Sequence, residues 1–309
     1  MKSKRNKTID FSVEDGLEYF NQAIQIDHKV SLSEVENKTI FGDSFEVLDY
    51  LPDACVDLLI VDPPYNLTKN YDNLYYRKKG KQEYREYTLK WLNKVDRLLK
   101  AESSIYVCCD WKSSLIIEEC LEEKYLIKNR ITWQREKGRG SKDNWKNSME
   151  DIWYATKSNR CTFNIDRVKI RRKVLAPYKE KGKPKDWIEN EEIKYRDTHP
   201  SNFWDDITIP FWSMEENTAH PTQKSEKLIA KLILASSNEK DLILDPFLGS
   251  GTTSVVAKKL NRRYIGIEQS KQYVAWAEKR LYDAESNKEI QGYNGVFWER
   301  NSKINRREK

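Results

Sequence analysis

Two short apolar runs that each end in Asp-Pro constrain this chain most. Val56–Val61 leads into Asp62-Pro63-Pro64-Tyr65, and residues 242–244 lead into Asp245-Pro246-Phe247-Leu248-Gly249-Ser250-Gly251-Thr252-Thr253. Runs of that length and content predict buried strands. A helical pattern follows the second motif over residues 254–260, so both motifs sit where strands of an α/β sheet open into loops. Ligands of such sheets bind at the carboxyl ends of the strands.

The residues at these two ends suggest different tasks. Adjacent prolines fix the backbone and donate no N–H, so the Pro63 carbonyl is presented outward beside the Asp62 carboxylate. An acid and a carbonyl can accept both hydrogens of one exocyclic amino group while the Tyr65 ring stacks on the attached base. Read alone, the same four residues could be a turn that ends a strand. In the second motif, Gly249 and Gly251 allow close approach of backbone to a ligand, ahead of a helix N-terminus that favours negative charge. Some twenty residues later, 263–267 reads as a strand ending in Glu268, a position suited to a ribose diol. The spacing is not the dinucleotide GxGxxG, and no phosphate-binding lysine follows the second glycine.

The pair resembles the amino-methyltransferases of DNA, and its order, catalytic motif before cofactor motif, is similar to the β class. That resemblance covers residues 38–160 and 218–282. It implies a seven-stranded, mixed but mostly parallel, Rossmann-like methyltransferase sheet with one reversed edge strand and helices on both faces. It implies S-adenosylmethionine as cofactor, with Asp245, Phe247, Gly249, Gly251, Thr252 and Glu268 around it, and Asp62, Pro63, Pro64 and Tyr65 as the catalytic set. Asp43 and Phe45, after the short strand 39–41, match the family's adenine-contacting pair, although Asp43 could equally cap the helix that follows. His220-Pro221-Thr222-Gln223-Lys224 is similar to the element closing the methionine end of the pocket, with Lys224 placed to pair with the methionine carboxylate. The usual form continues with proline where this chain has Ser225. The setting implied is site-specific methylation of adenine N6, on a base flipped out of double-stranded DNA, in a bacterial, archaeal or phage restriction-modification system or as an orphan methylase. A cognate restriction endonuclease is the partner this class allows, and the enzyme would be a monomer or homodimer.

Seven strands are expected from the pattern: 39–41, 56–62, 105–109, 129–134, 151–156, 242–245 and 263–267. Ser12 and Asp15 read as a capping box for one amphipathic N-terminal helix carrying Val13, Leu17, Phe20 and Ile24. The expected organisation is an N-terminal helical arm (1–30), a catalytic half (31–159), a target-recognition insert (160–214), a cofactor half (215–285) and a polar, frayed tail (286–309).

Charge locates the polyanion. The chain carries +6 overall, yet residues 157–185 hold eleven Lys or Arg against two acids, a local excess of nine that leaves the remainder at −3. A mildly acidic body with one strongly basic segment suits DNA bound at a defined face. Arg171, Arg172 and Lys173 lie in that segment, and Lys69, Arg77 and Lys78 lie among tyrosines just after the base-binding motif. Basic residues interleaved with aromatics suit phosphates and unstacked bases, and a solvated charged loop is the rival reading. Five cysteines and three histidines show no metal-ligand spacing, so no metal is expected. No run reaches the ~18 apolar residues of a membrane span, and the basic N-terminus leads into no apolar core. A cytoplasmic, reducing setting is expected. The alternatives kept open are a cytosine-N4 methyltransferase, in which serine usually replaces Asp62, an RNA adenine methyltransferase, and a non-catalytic DNA-binding protein with a methyltransferase body.

Overall fold

In the computed structural model the described residues are 3, 5–72, 74–135, 142–174, 178–184, 187–189 and 194–300. Strand β2 (Val56–Val61) is buried at every position but Asp57, and it organises the sheet. Its side chains alternate between two layers. Leu59 and Val61 join one core with Trp91, Val107 and Ile265, while Leu58 and Ile60 join a second core with Leu228, Leu232 and Val256. That alternation is the two-residue period of a strand covered on both faces.

The other strands of the main sheet are β1 (Lys38–Phe41), β3 (Leu99–Cys109), β4 (Leu126–Gln134), β5 (Met149–Thr156), β6 (Phe203–Trp204), β7 (Leu242–Asp245) and β8 (Arg263–Glu268). They lie in the order β1-β8-β7-β2-β3-β5-β4-β6. All neighbours are parallel except at β5, which runs antiparallel to both β3 and β4. The seven expected strands are present. The reversed strand, however, is inside the sheet rather than at its edge, and the expected insert supplies an eighth strand, with Phe203 and Trp204 pairing in parallel with Thr132 and Trp133.

The helices of the two covering layers are α1 (Ser44–Tyr50), α2 (Lys81–Asp96), α3 (Ser114–Glu122), α4 (Glu226–Ser236), α5 (Thr252–Lys259) and α6 (Lys271–Ser286). Helix α2 buries Tyr84, Thr88, Trp91, Leu92 and Val95 on one face. Helix α4 is buried along its whole length. It tolerates Lys227 and Lys231 inside because both ammonium groups reach Asp206, at 2.8 and 2.6 Å. No described helix is long and apolar enough to cross a membrane.

Two expectations at the chain ends are corrected. The N-terminal helix is only one turn, Leu17–Phe20. Ser12 and Asp15 do bond to one another, but the Phe11 ring fills the space beside Gly16, where a Cβ would fall 2.0 Å from Phe11. The helix starts only beyond that contact. Ile24, assigned to the helix face, instead bridges to Ile40 at the sheet edge. The C-terminal stretch after Leu281 is not a frayed tail as far as Arg300. Helix α6 continues to Ser286, and Phe297 and Trp298, both buried, pair with Ile170 and Arg171. Apolar residues in a polar context cause this, and the Trp298 carbonyl accepts from buried Lys227. The predicted fraying of residues 305–309 lies outside the described residues.

The expected recognition insert therefore packs with the C-terminus. Ile170–Lys173 is flanked by Lys194–Thr198 and Phe297–Trp298 in a four-stranded sheet completed by Ile188–Glu189. Beside it, Lys179–Glu180 and Lys183–Pro184 form a hairpin through Lys181 (φ 51°) and Gly182 (φ 77°). Two positive φ values in a two-residue loop make a tight primed turn, and its lysines are exposed.

Gly251 begins α5 at φ 86°, and a Cβ there would meet the Ala277 Cβ at 2.7 Å. Gly251→Ala should therefore cost roughly 2–4 kcal/mol by urea unfolding, from strain and overpacking together. Gly80→Ala, where a Cβ meets nothing within 4 Å, should change stability by less than about 1 kcal/mol.

Candidate active site

The sheet order brings the two Asp-Pro motifs side by side. β2 and β7 are parallel neighbours, and the order reverses between them, so a crevice forms outside their carboxyl ends. The cleft there is open to solvent and lined from both motifs, by Asp62, Pro63, Tyr65, Phe247, Gly249 and Glu268 among others, at the place in an open α/β sheet where ligands bind.

On the first side, Asp62 Oδ2 accepts from Lys224 Nζ at 2.7 Å, while its Oδ1 is buried with no partner among the described residues. Lys224 is only 7% exposed. Its ammonium also lies 3.1 Å from Tyr65 Oη and 3.3 Å from Glu150 Oε2. Burial disfavours the charge on Lys224, but the Asp62 and Glu150 carboxylates outweigh it and hold the lysine above its usual range. Tyr65 Oη donates to Glu150 Oε2 at 3.2 Å. Burial, and then Asp62 and Glu150, push that phenol well above the usual tyrosine range, so it keeps the proton it donates. Arg135 pairs with the other oxygen of Glu150. Lys69 is half-buried nearby, and desolvation followed by Lys224 and Arg135 pulls its pKa down.

On the second side, two carboxylates brace the glycine loop. Asp245 accepts from Phe247 N at 3.0 Å and from Thr253 Oγ1 at 2.6 Å. Glu268 accepts from Gly249 N and Ser270 N, each at 2.8 Å. Burial pushes both acids up to about 7. Thr252 Oγ1 donates to the Lys224 carbonyl at 3.1 Å and accepts from Arg280 at 3.0 Å, tying the loop to the segment that carries Lys224. Gly249 (φ 55°) faces His220, whose Nε2 would lie 3.2 Å from an added Cβ. His220 is buried, which drives its pKa down to about 3. Its Nδ1 accepts from Thr222 N at 3.3 Å, so the neutral ring carries its hydrogen on Nε2.

Asp43 caps α1, accepting from Phe45 N at 2.7 Å, the second of its two sequence readings. The Phe45 ring packs edge-on against Tyr87 at 5.6 Å, under Lys90. The residue between them, Ser44, is the one that lines the cleft. Lys224, expected at a methionine carboxylate, is engaged with Asp62. Arg77 and Lys78 are exposed just before α2. Arg171 forms a two-point bond with Asp197, at 2.7 and 2.8 Å, and stacks on Tyr195 at 4.2 Å. Arg172 reaches Glu299 at 3.5 Å. Of these three basic residues, only Lys173 is fully exposed.

Glu150 and Arg135 were not among the expected site residues. Glu150 is the second residue of β5, and because β5 runs backwards its start lies at the end where β2 finishes. An acid near the start of a strand carries no signal of its own. Glu216 was also unmarked. It is buried, accepts from Glu226 N at 2.6 Å, and its carbonyl accepts from Gln223 Nε2 at 2.6 Å. Gln223 in turn accepts from Thr218 N and Oγ1, which fixes the turn leading to Lys224.

Residues 56–279 match the DNA methylase family (N6_N4_Mtase). The Type II methyltransferase M.HpaI of Haemophilus parainfluenzae is 35% identical over 260 residues, covering 82% of this chain and 76% of that protein. The DNA adenine methyltransferase YhdJ of Escherichia coli K12 is 34% identical over 258 residues, covering 80% and 83%. Among solved structures, M1.HpyAVI superposes with a TM-score of 0.53 at 26% identity, covering 79% of this chain and 97% of that one. The cytosine-N4-specific PvuII DNA methyltransferase shares the fold, with a TM-score of 0.59 at 20% identity, covering 81% and 92%.

Burial, and then the neighbouring Glu226, push Glu216 up to about 8. The folded state thus holds a proton that the unfolded chain releases near the ordinary glutamate value of about 4.3. This disfavours folding increasingly as pH rises from there through about 8 and then levels off. Glu216→Gln mimics the protonated form. Its stability relative to wild type should therefore be greater at pH 9 than at pH 6 in urea unfolding, and an equal difference at both would contradict the assignment.

Proposed function

The chain belongs to the DNA methylase family, and we propose that it transfers a methyl group from S-adenosylmethionine to adenine N6 of a base flipped out of double-stranded DNA. The observation that carries this reading is Asp62 Oδ1, a buried carboxylate oxygen without a partner among the described residues, beside the Pro63 peptide in the cleft. Such an oxygen calls for a donor, and an exocyclic amino group brings two hydrogens, for Asp62 and for the Pro63 carbonyl.

The residues present fit the cofactor. Asp245 and Glu268 line the cleft on the side of the glycine loop, and a sulfonium cation bound there would draw these two acids, which burial holds at about 7, to their ionised forms. Gly249, at positive φ, lines the cleft without a side chain to fill it, whereas the bare Gly251 serves close packing against Ala277. When bound, S-adenosylmethionine supplies the electrophilic methyl group. Ser44, Phe247 and Glu268 would hold it, Glu268 through lone pairs left over from its backbone bonds.

The protein's own part is orientation and electrostatics. Adenine N6 is a poor nucleophile because its lone pair is delocalised into the ring. Hydrogen bonds to Asp62 and the Pro63 carbonyl turn that lone pair out of conjugation and stabilise the positive charge that grows on nitrogen. The proton leaves the methylated nitrogen after attack, along its hydrogen bond to Asp62 and on to solvent, so no amide anion is needed. Tyr65 stacks on the base and offsets part of the few kcal/mol that flipping costs. Lys173, Arg77, Lys78 and the Lys181 hairpin are exposed for phosphates, whereas Arg171 and Arg172 serve chiefly to hold the insert together.

Cytosine N4 offers the same two hydrogens, and the choice of adenine rests on aspartate as the first motif residue and on the relative named as an adenine methyltransferase. The Type II names of other relatives support action at a defined site, alongside an endonuclease blocked by the same methyl group. Methylated duplex digested to nucleosides should yield N6-methyladenine by mass spectrometry. N4-methylcytosine as the sole product would overturn the base, labelling confined to RNA would overturn the substrate, and no labelling would overturn the enzyme.

A further inference from the structure

We propose that Glu150 is a positioning residue for the methyl transfer: through the Tyr65 hydroxyl and the Lys224 ammonium it fixes the stacking ring and keeps Asp62 Oδ1 open for the amino group of the base. The inference rests on the reaction proposed above.

The geometry that carries it is a count of protons and acceptors. The Lys224 ammonium has three protons, and three oxygens lie within 3.3 Å of it: Asp62 Oδ2, Tyr65 Oη and Glu150 Oε2. The Tyr65 hydroxyl accepts from Lys224 and gives its one proton to Glu150. The ammonium donates to Asp62 Oδ2 and Tyr65 Oη and is ion-paired with Glu150, so neither it nor the phenol is turned to Asp62 Oδ1, which stays unpartnered. Without Glu150, the phenol proton loses its acceptor and the ammonium loses its second carboxylate. The unpartnered oxygen of the carboxylate that Lys224 already holds then becomes the available replacement, and the acceptor meant for the base is consumed.

Charge points the same way. Lys69 and Arg135 lie near Lys224, and Asp62 and Glu150 oppose these cations. Replacing Glu150 by a neutral residue removes one of the two carboxylates that oppose them, at a place where positive charge must develop on nitrogen. Glu150 is 5% exposed, so little solvent screens this imbalance. A counter-ion for Arg135 alone would need only one oxygen of the carboxylate. The other is turned to Tyr65 and Lys224.

The test is a double-mutant cycle on the full-length protein with duplex DNA and S-adenosylmethionine. Glu150→Ala should lower kcat roughly 100-fold, the scale of a misplaced reacting group, with DNA affinity by fluorescence anisotropy within about 3-fold of wild type. Glu150→Gln, which still accepts from Tyr65 but has no charge, should fall in between, at about 10-fold. In a Tyr65→Phe background, Glu150→Ala should cost less than about 10-fold more, because the shared hydroxyl is already gone. Fully multiplicative effects of the two changes, or a Glu150→Gln kcat within about 3-fold of wild type, would overturn the role. If Glu150→Ala does not fold, the Gln variant with and without Tyr65→Phe decides alone. A wild-type protein that methylates no DNA would instead sink the reaction itself.

Discussion

The ion pair between Lys224 and Asp62 is the interaction on which the site depends. Its two members come from opposite halves of the chain, 162 residues apart, and both line the cleft between the two Asp-Pro motifs. A buried pair of this kind is poor evidence for stability, since desolvation offsets most of its attraction. Its value here is registry. The same ammonium touches Tyr65 and Glu150, so one side chain sets the spacing of acid, ring and second acid. Thr252 bonding to the Lys224 carbonyl extends that registry to the start of α5.

Topology explains why these groups can meet. Parallel neighbours β2 and β7 deliver Asp62 and Asp245 to adjacent strand ends, and the reversed β5 delivers Glu150 to the same end from its beginning. A fully parallel sheet would place the start of β5 at the far side of the molecule. The C-terminal segment and the insert are fastened to the buried helix α4 through Asp206, Lys227 and Lys231. The face proposed to meet DNA is therefore braced against the helix that follows Lys224.

What could be read from the sequence was what is local. Asp62 through Tyr65 and Asp245 through Thr253 announce themselves because turn chemistry, strand pattern and glycine spacing lie within a few residues of one another. The seven strands followed from apolar runs for the same reason. The partner of Lys224 could not be read, because the choice between a ligand carboxylate and Asp62 depends on how two distant loops pack. Glu150 needed the direction of β5. Arg171 looked like a phosphate ligand by charge alone, yet Asp197 lies across the strand pair from it and takes its Nε and one of its Nη groups. Phe297 and Trp298 were hidden in a polar stretch, since two apolar residues make no period. The eighth strand, also two residues long, was hidden likewise.

Asp62 is proposed to serve the base and not the cofactor, and Asp62→Ala separates the two roles. In that variant S-adenosylmethionine affinity by calorimetry should stay within about 3-fold of wild type, and methyl transfer to duplex DNA should fall by at least roughly 100-fold. Loss of cofactor affinity in proportion to loss of transfer, or transfer close to the wild-type rate, would contradict it.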